Sequence, residues 1–415
     1  MDNLPRNPRV MNRSWRRGRS AVAWTIVLCA AANAAQTPDD RSIALEIIPT
    51  PQQLSWQGGM LPLVTKDSSM VVVTPEAPDR KEILAGRWIA KEIAALGGKA
   101  PDVVAGPTGI DPSDKTEGPR LVLATFGRKT ETLSRIAGLL DEADRELLGD
   151  AGRCEQAYVI RCENNLVAVV GGSAQGTLYG AMTLLQLFQN DGGRVAMPRV
   201  HVRDWPDFKH RMAENWTYAE GREHRGRGWC YDWGDGKENY LQRVTAIFDR
   251  CLRYKINMIC FSSGFDKTDW DAGIFPLEKE LNRLADERGI KLMIGGYGIT
   301  YKRRGDEELT RQLLERIRDY VRRTEPRFLY IHHEDHGTYA STQLLWSRRS
   351  DECKRRWPSE QMAAADGAAG GFTHDYNAVC DAIFSVKNAD SGYDAARDCL
   401  VALVSPSYTT ADESD

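Results

Sequence analysis

Directly after the apolar run Phe328-Leu329-Tyr330-Ile331, the chain reads His332-His333-Glu334-Asp335-His336-Gly337. This is its main concentration of reactive side chains. Adjacent carboxyls can divide acid–base work if one stays protonated near neutral pH while its neighbour stays ionised. Three histidines beside two acids also invite a metal. Ligands at positions 332, 333, 334 and 336 would need a tight turn, and the chain has no H-E-x-x-H helix. Acid–base chemistry without metal or cofactor is therefore the expectation. The run Gly295-Gly296-Tyr297-Gly298 does not match phosphate-loop spacing and reads as an ordinary loop.

The elements around this cluster alternate. From Arg211 onward the pattern predicts a strand over 214–218, a helix over 238–253 and a strand over 256–262. A helix over 277–288, a strand over 290–294 and a helix over 306–323 follow. Strand 328–331, helix 374–387 and strand 399–404 complete the series. Apolar strands separated by amphipathic helices indicate a parallel sheet, and a TIM-type β/α barrel is the expected form. Such barrels place chemistry at the C-terminal ends of their strands, where 332–336 falls. Only about five strands are legible against the eight of a closed barrel. Five would leave a raw parallel edge, so a partial barrel within a longer product is expected.

The first half differs. A strand at 71–73, a helix over 79–96 stopped by Gly97-Gly98, and a strand at 121–124 precede two alternating segments, 158–162 and 166–170. A helix from Ala174 to Gln189 then places Leu178, Met182, Leu185 and Phe188 on one stripe. This reads as an α+β domain with a helix packed on a sheet. The expected organisation is a leader over 1–34, an accessory α+β domain over 43–205, and a partial barrel over 206–415.

Six arginines precede the apolar run Ala21–Ala32, and Ala32-Asn33-Ala34 forms an A-x-A cleavage site, the pattern of a secretory signal peptide. The run is too short to span a bilayer comfortably, and no later stretch is apolar enough. Removal of the leader leaves a net charge of about −8, which gives no reason to expect nucleic acid or anionic lipid as a partner. None of the remaining cysteines forms a C-x-x-C pair. Cys154 and Cys162 flank one extended segment, roughly 25 Å apart, too far for a disulfide. Trp216, Trp229 and Trp233 on one loop are candidates for lining a cleft.

Three segments resemble one known family. The helix carrying Gly176, Tyr179, Gly180, Thr183, Leu184, Leu185, Gln186 and Leu187 is similar to the G-x-x-YG-x-x-TLLQL helix of β-N-acetylhexosaminidases, glycoside hydrolase family 20. Asp204, Pro206, Phe208 and Arg211 resemble the D-x-P-x-F-x-x-R segment that leads into that family's barrel. Ile48-Pro49-x-Pro51-Gln52, followed by Trp56 and Gly59, resembles the opening of its accessory domain. The resemblance implies a retaining exo-glycosidase acting on terminal N-acetylhexosamine of an oligosaccharide or glycan. The substrate's own acetamido group would be the nucleophile, an exception to the two-carboxylate scheme.

In that family the fourth strand ends in Asp-Glu, the Asp steering the acetamido group and the Glu protonating the leaving oxygen. Here the order is Glu334-Asp335. Matching on Asp335 puts His336 in the acid's place, and matching on Glu334 puts His333 in the orienting place. The two acids can also act as a pair, as in the related O-GlcNAc hydrolases. The working assignment is Glu334 as acid and Asp335 as partner, with Arg211 gripping sugar hydroxyls. Met212 stands where the family has Gly. Lys255 and Asn257 are kept, whereas the following His-x-His becomes Cys260 and Ser262, with Asp266 a possible substitute. The rival reading is a non-catalytic carbohydrate-binding or scaffold protein, and the oligomeric state stays open.

The leader reading predicts a secreted or periplasmic product. N-terminal sequencing of the exported protein should begin near Ala35 or Gln36, and a product beginning at Met1 or Met11 contradicts it.

Overall fold

The computed structural model describes residues 47–65, 69–107, 109–110, 118–191, 194–214, 237–261, 275–294, 307–331, 355, 359 and 372–403. Its first half holds β1 (Gln53–Val64), β2 (Val71–Thr74), α1 (Arg80–Ala95), β3 (Asp102–Ala105) and β4 (Arg120–Thr125). Next come α2 (Glu131–Ile136), α3 (Glu142–Gly149), β5 (Tyr158–Glu163), β6 (Leu166–Gly171), α4 (Ala174–Leu185), β7 (Gln189–Asp191) and β8 (Arg194–Asp204). One mixed sheet runs in the order β1-β8-β5-β6-β4-β2-β3, with β7 beside β8. The β1, β8, β5 and β6 neighbours are antiparallel, while β6, β4, β2 and β3 are parallel.

Period-two alternation divides this sheet's side chains between two cores. Leu121 and Leu123 of β4, and Val167 and Val169 of β6, face α1 and α4. Their neighbours Val122, Ala124, Ala168 and Val170 face the opposite core with Ile136, Leu147 and Leu148. The expected single helical layer is therefore corrected to helices on both faces. The second layer comes from α2 and α3, whose short polar sequences carry little periodicity. Their caps mark them instead: Thr130 accepts from the Leu133 amide, and Asp141 and Asp144 form a reciprocal capping box.

The second half begins with β9 (Met212–Glu214), then α5 (Lys237–Arg253), β10 (Met258–Phe261), α6 (Phe275–Asp286) and β11 (Lys291–Ile294). It continues with α7 (Glu307–Thr324), β12 (Phe328–Ile331), α8 (Phe372–Phe384), β13 (Lys387–Asn388), β14 (Tyr393–Asp394), α9 (Ala395–Asp398) and β15 (Leu400–Leu403). Strands β9, β10 and β11 form a parallel ladder, and β12 pairs with β15 in parallel. The β/α alternation is present, as a three-stranded and a two-stranded parallel ladder. The first strand lies earlier than expected, at 212–214, and residues 215–218 fall outside the described residues.

One device recurs at the helix ends. Lys255, Gly289 and Glu325 follow α5, α6 and α7 with φ of 57°, 68° and 48°. After α5 the amides of Lys255 and Ile256 bond back to Leu252 and Cys251, and Gly289 and Ile290 do the same with Asp286 and Ala285. These are left-handed helix stops that turn the chain into the next strand. Ile259 and Leu292 pack towards the helices. Met258 and Phe328 meet instead with Leu400 and Ala402. Among the described residues Cys154, Cys162, Cys251, Cys380 and Cys399 are free thiols.

The glycines of α4 allow it to lie against the sheet. A Cβ on Gly176 would stand 2.1 Å from the Ala157 carbonyl oxygen, and one on Gly180 would stand 2.5 Å from Val169 Cγ1. Gly176→Ala should destabilise the protein by about 1–3 kcal/mol or more, since backbone cannot yield as a side chain does. Gly138→Ala, with nothing within 4 Å of the new methyl, should stay close to wild type. Urea denaturation of both variants is the check.

Candidate functional site

Where the two halves meet, side chains from β5, α4, β8 and the turn after α5 converge. Asp204, the last residue of β8, is almost fully buried. Its Oδ1 accepts from the Gln52 amide at 3.1 Å, and its Oδ2 from the Tyr158 hydroxyl at 2.6 Å and Lys255 Nζ at 2.8 Å. Lys255 Nζ also donates to the Tyr158 oxygen at 2.7 Å, and Thr183 Oγ1 lies 2.6 Å from that oxygen. Burial drives the Tyr158 phenol well above its usual pKa, and the neighbouring Asp204 charge adds to this. Burial pulls the Lys255 ammonium down, with Asp204 opposing that shift. The ion pair supplies the compensation that an enclosed charge requires.

Arg211, expected to grip a sugar, has a different set of partners. Its Nε donates to the Lys255 carbonyl at 2.7 Å, Nη1 to the Phe208 carbonyl at 2.5 Å, and Nη2 to Gln156 Oε1 at 2.8 Å. The guanidinium also lies 5.6 Å from the centroid of the Tyr179 ring. It immediately precedes β9, at the N-terminal end of that strand, whereas barrel chemistry sits at C-terminal ends. Asn257 completes the clamp: its Oδ1 accepts from the Arg211 amide at 2.8 Å and its Nδ2 donates to the Lys209 carbonyl at 2.8 Å. The structure thus makes Arg211 a structural bolt. Its planar fork suits three acceptors in fixed directions as well as it suits a sugar.

The other predicted site residues, Glu334, Asp335, His333, Trp216 and Asp266, lie outside the described residues. What is described is their approach: β12 ends at Ile331, one residue before the histidine-acid run. The structure adds Tyr158, Gln156 and Tyr179 to the joint, which sequence reasoning did not assign. Tyr158 read there only as a member of an apolar segment and Tyr179 only as a residue of the helix motif, and their polar ends gave no periodic signal.

A second charged group lies on the first domain. Asp141, Asp144 and His201 place ligand-type atoms within 4.8 Å of one another. Asp144 accepts from Arg161 and Arg203 Nε, both at 2.7 Å, and lies 3.1 Å from His201 Nε2. Arg161 and Arg203 also reach Asp141. The Asp144 carboxyl is held far below its usual range: desolvation opposes this, and hydrogen bonds from His201, Arg161 and Arg203 outweigh it. With two guanidinium groups on the carboxylates, this is an ion-pair network joining α3 to β5 and β8.

Residues 44–205 match the family model described as glycosyl hydrolase family 20, domain 2. Over that span the first half is similar to family 20 domain 2. Among solved structures, an inactive variant of the family 20 exo-β-N-acetylglucosaminidase from Vibrio harveyi gives a TM-score of 0.50 at 13% identity, covering 88% of this chain and 58% of that one. The same Vibrio enzyme in complex with N-acetylglucosamine gives 0.48 at 14% identity, covering 82% and 54%. The chitobiase of Flavobacterium johnsoniae gives 0.49 at 13% identity, covering 84% and 52%. The first of these likenesses is one of fold alone, and the chain spans about half the length of each structure. No curated protein matches in sequence. Among the described residues no helix is long and apolar enough to cross a membrane.

The first domain ends on the ion pair that ties it to the second half. Asp204→Asn should cost about 3–5 kcal/mol, because it strands a buried ammonium. Lys255→Met should cost a similar amount, and the double variant clearly less than the two combined. A double-mutant cycle by urea denaturation measures this. Additive losses would show that the two groups act independently.

Proposed function

We propose that the chain contributes the accessory domain and the first βα units of an exported glycoside hydrolase that removes terminal N-acetylhexosamine with retention. The observation that carries this reading is the pairing of a family 20 domain 2 over residues 44–205 with a following parallel β/α half. The joining motif, Asp204 to Arg211, locks the two together. The sequence directly after β12 supplies Glu334 and Asp335 at a place suited to barrel chemistry.

In this mechanism Glu334 is the general acid that protonates the departing glycosidic oxygen, and it then takes a proton from water in the second step. Asp335 orients and stabilises the acetamido group as its oxygen attacks the anomeric carbon. The substrate supplies the nucleophile, so one protonated and one ionised carboxyl suffice. His333, Asp266 and Trp216 are proposed to line the sugar subsite. Arg211 is left out of it, because its guanidinium nitrogens are all engaged at the joint. A non-catalytic carbohydrate-binding role is the competing reading, and the departures at Met212, Cys260 and Ser262 favour it.

Hydrolysis of an aryl N-acetyl-β-glucosaminide by the protein from its complete reading frame separates the two. Glu334→Gln should lower turnover of natural oligosaccharides by about 10²–10⁴-fold, sparing activated aryl glycosides more. Asp335→Asn should slow both substrates. Unchanged oligosaccharide turnover in Glu334→Gln, with loss in Asp335→Asn or His336→Ala, would move the acid role elsewhere. No hydrolysis by the unaltered protein would favour the binding role.

A further inference from the structure

We draw no further inference here: the strongest candidate, the surface patch at the joint between the two halves where Ile48 and Phe208 expose apolar side chains, carries nothing, because nothing in the structure shows what covers it.

Discussion

The buried pair of Asp204 with Lys255 is the constraint on which the rest of the architecture depends. It joins the last residue of the mixed sheet to the first helix stop of the β/α half. Lys255 takes a left-handed backbone conformation that favours glycine. A lysine there spends backbone strain on a side chain that reaches back into the other half. Buried ion pairs add little net stability over a hydrophobic replacement, but they tolerate few alternative partners. Here the pair sets the orientation of one unit against the other. Tyr158 and Thr183 extend it through β5 and α4, so the hydrogen bonds of the joint reach into the core of the first domain.

That reading gives physical content to the motif residues. Gly176 and Gly180 let α4 approach the sheet at distances no Cβ permits. Gln186 reaches back to both the amide and the carbonyl of Ile48, holding the start of the domain against the end of α4. Asp204, Arg211, Lys255 and Asn257 belong to one hydrogen-bonded assembly although they are spread over 54 positions of sequence. Leu252 of α5 enters the first domain's hydrophobic core, and Arg253 pairs with Glu92 at 3.1 Å, so the second half is anchored by packing and charge together.

Much of this was legible in the sequence, for identifiable reasons. Strands β4, β5 and β6 and helices α4 to α7 were readable because each carries a strong apolar period. Strands β1 and β8 were not. Gly58 and Gly59 interrupt β1 as it shifts register against β8 between Trp56 and Met60, and both have positive φ. Pro62 and Pro198 sit within the same ladder. These residues normally announce turns, yet here they mark irregularities within paired strands. Arg211 was found by position, but its bonds to two backbone carbonyls and a distant glutamine leave no trace in spacing. Among the described residues, the five strands of the parallel ladders, β9 to β12 and β15, were legible as short apolar runs, whereas the β13–β14 hairpin was not.

The central claim is that this joint delivers the chain into a glycosidase using its substrate's acetamido group. Proton NMR of the first sugar released from an aryl N-acetyl-β-glucosaminide, by the protein from its complete reading frame, tests it most directly. The account predicts that the β anomer forms first and then mutarotates, as double displacement requires. Initial release of the α anomer, or no release, would contradict it.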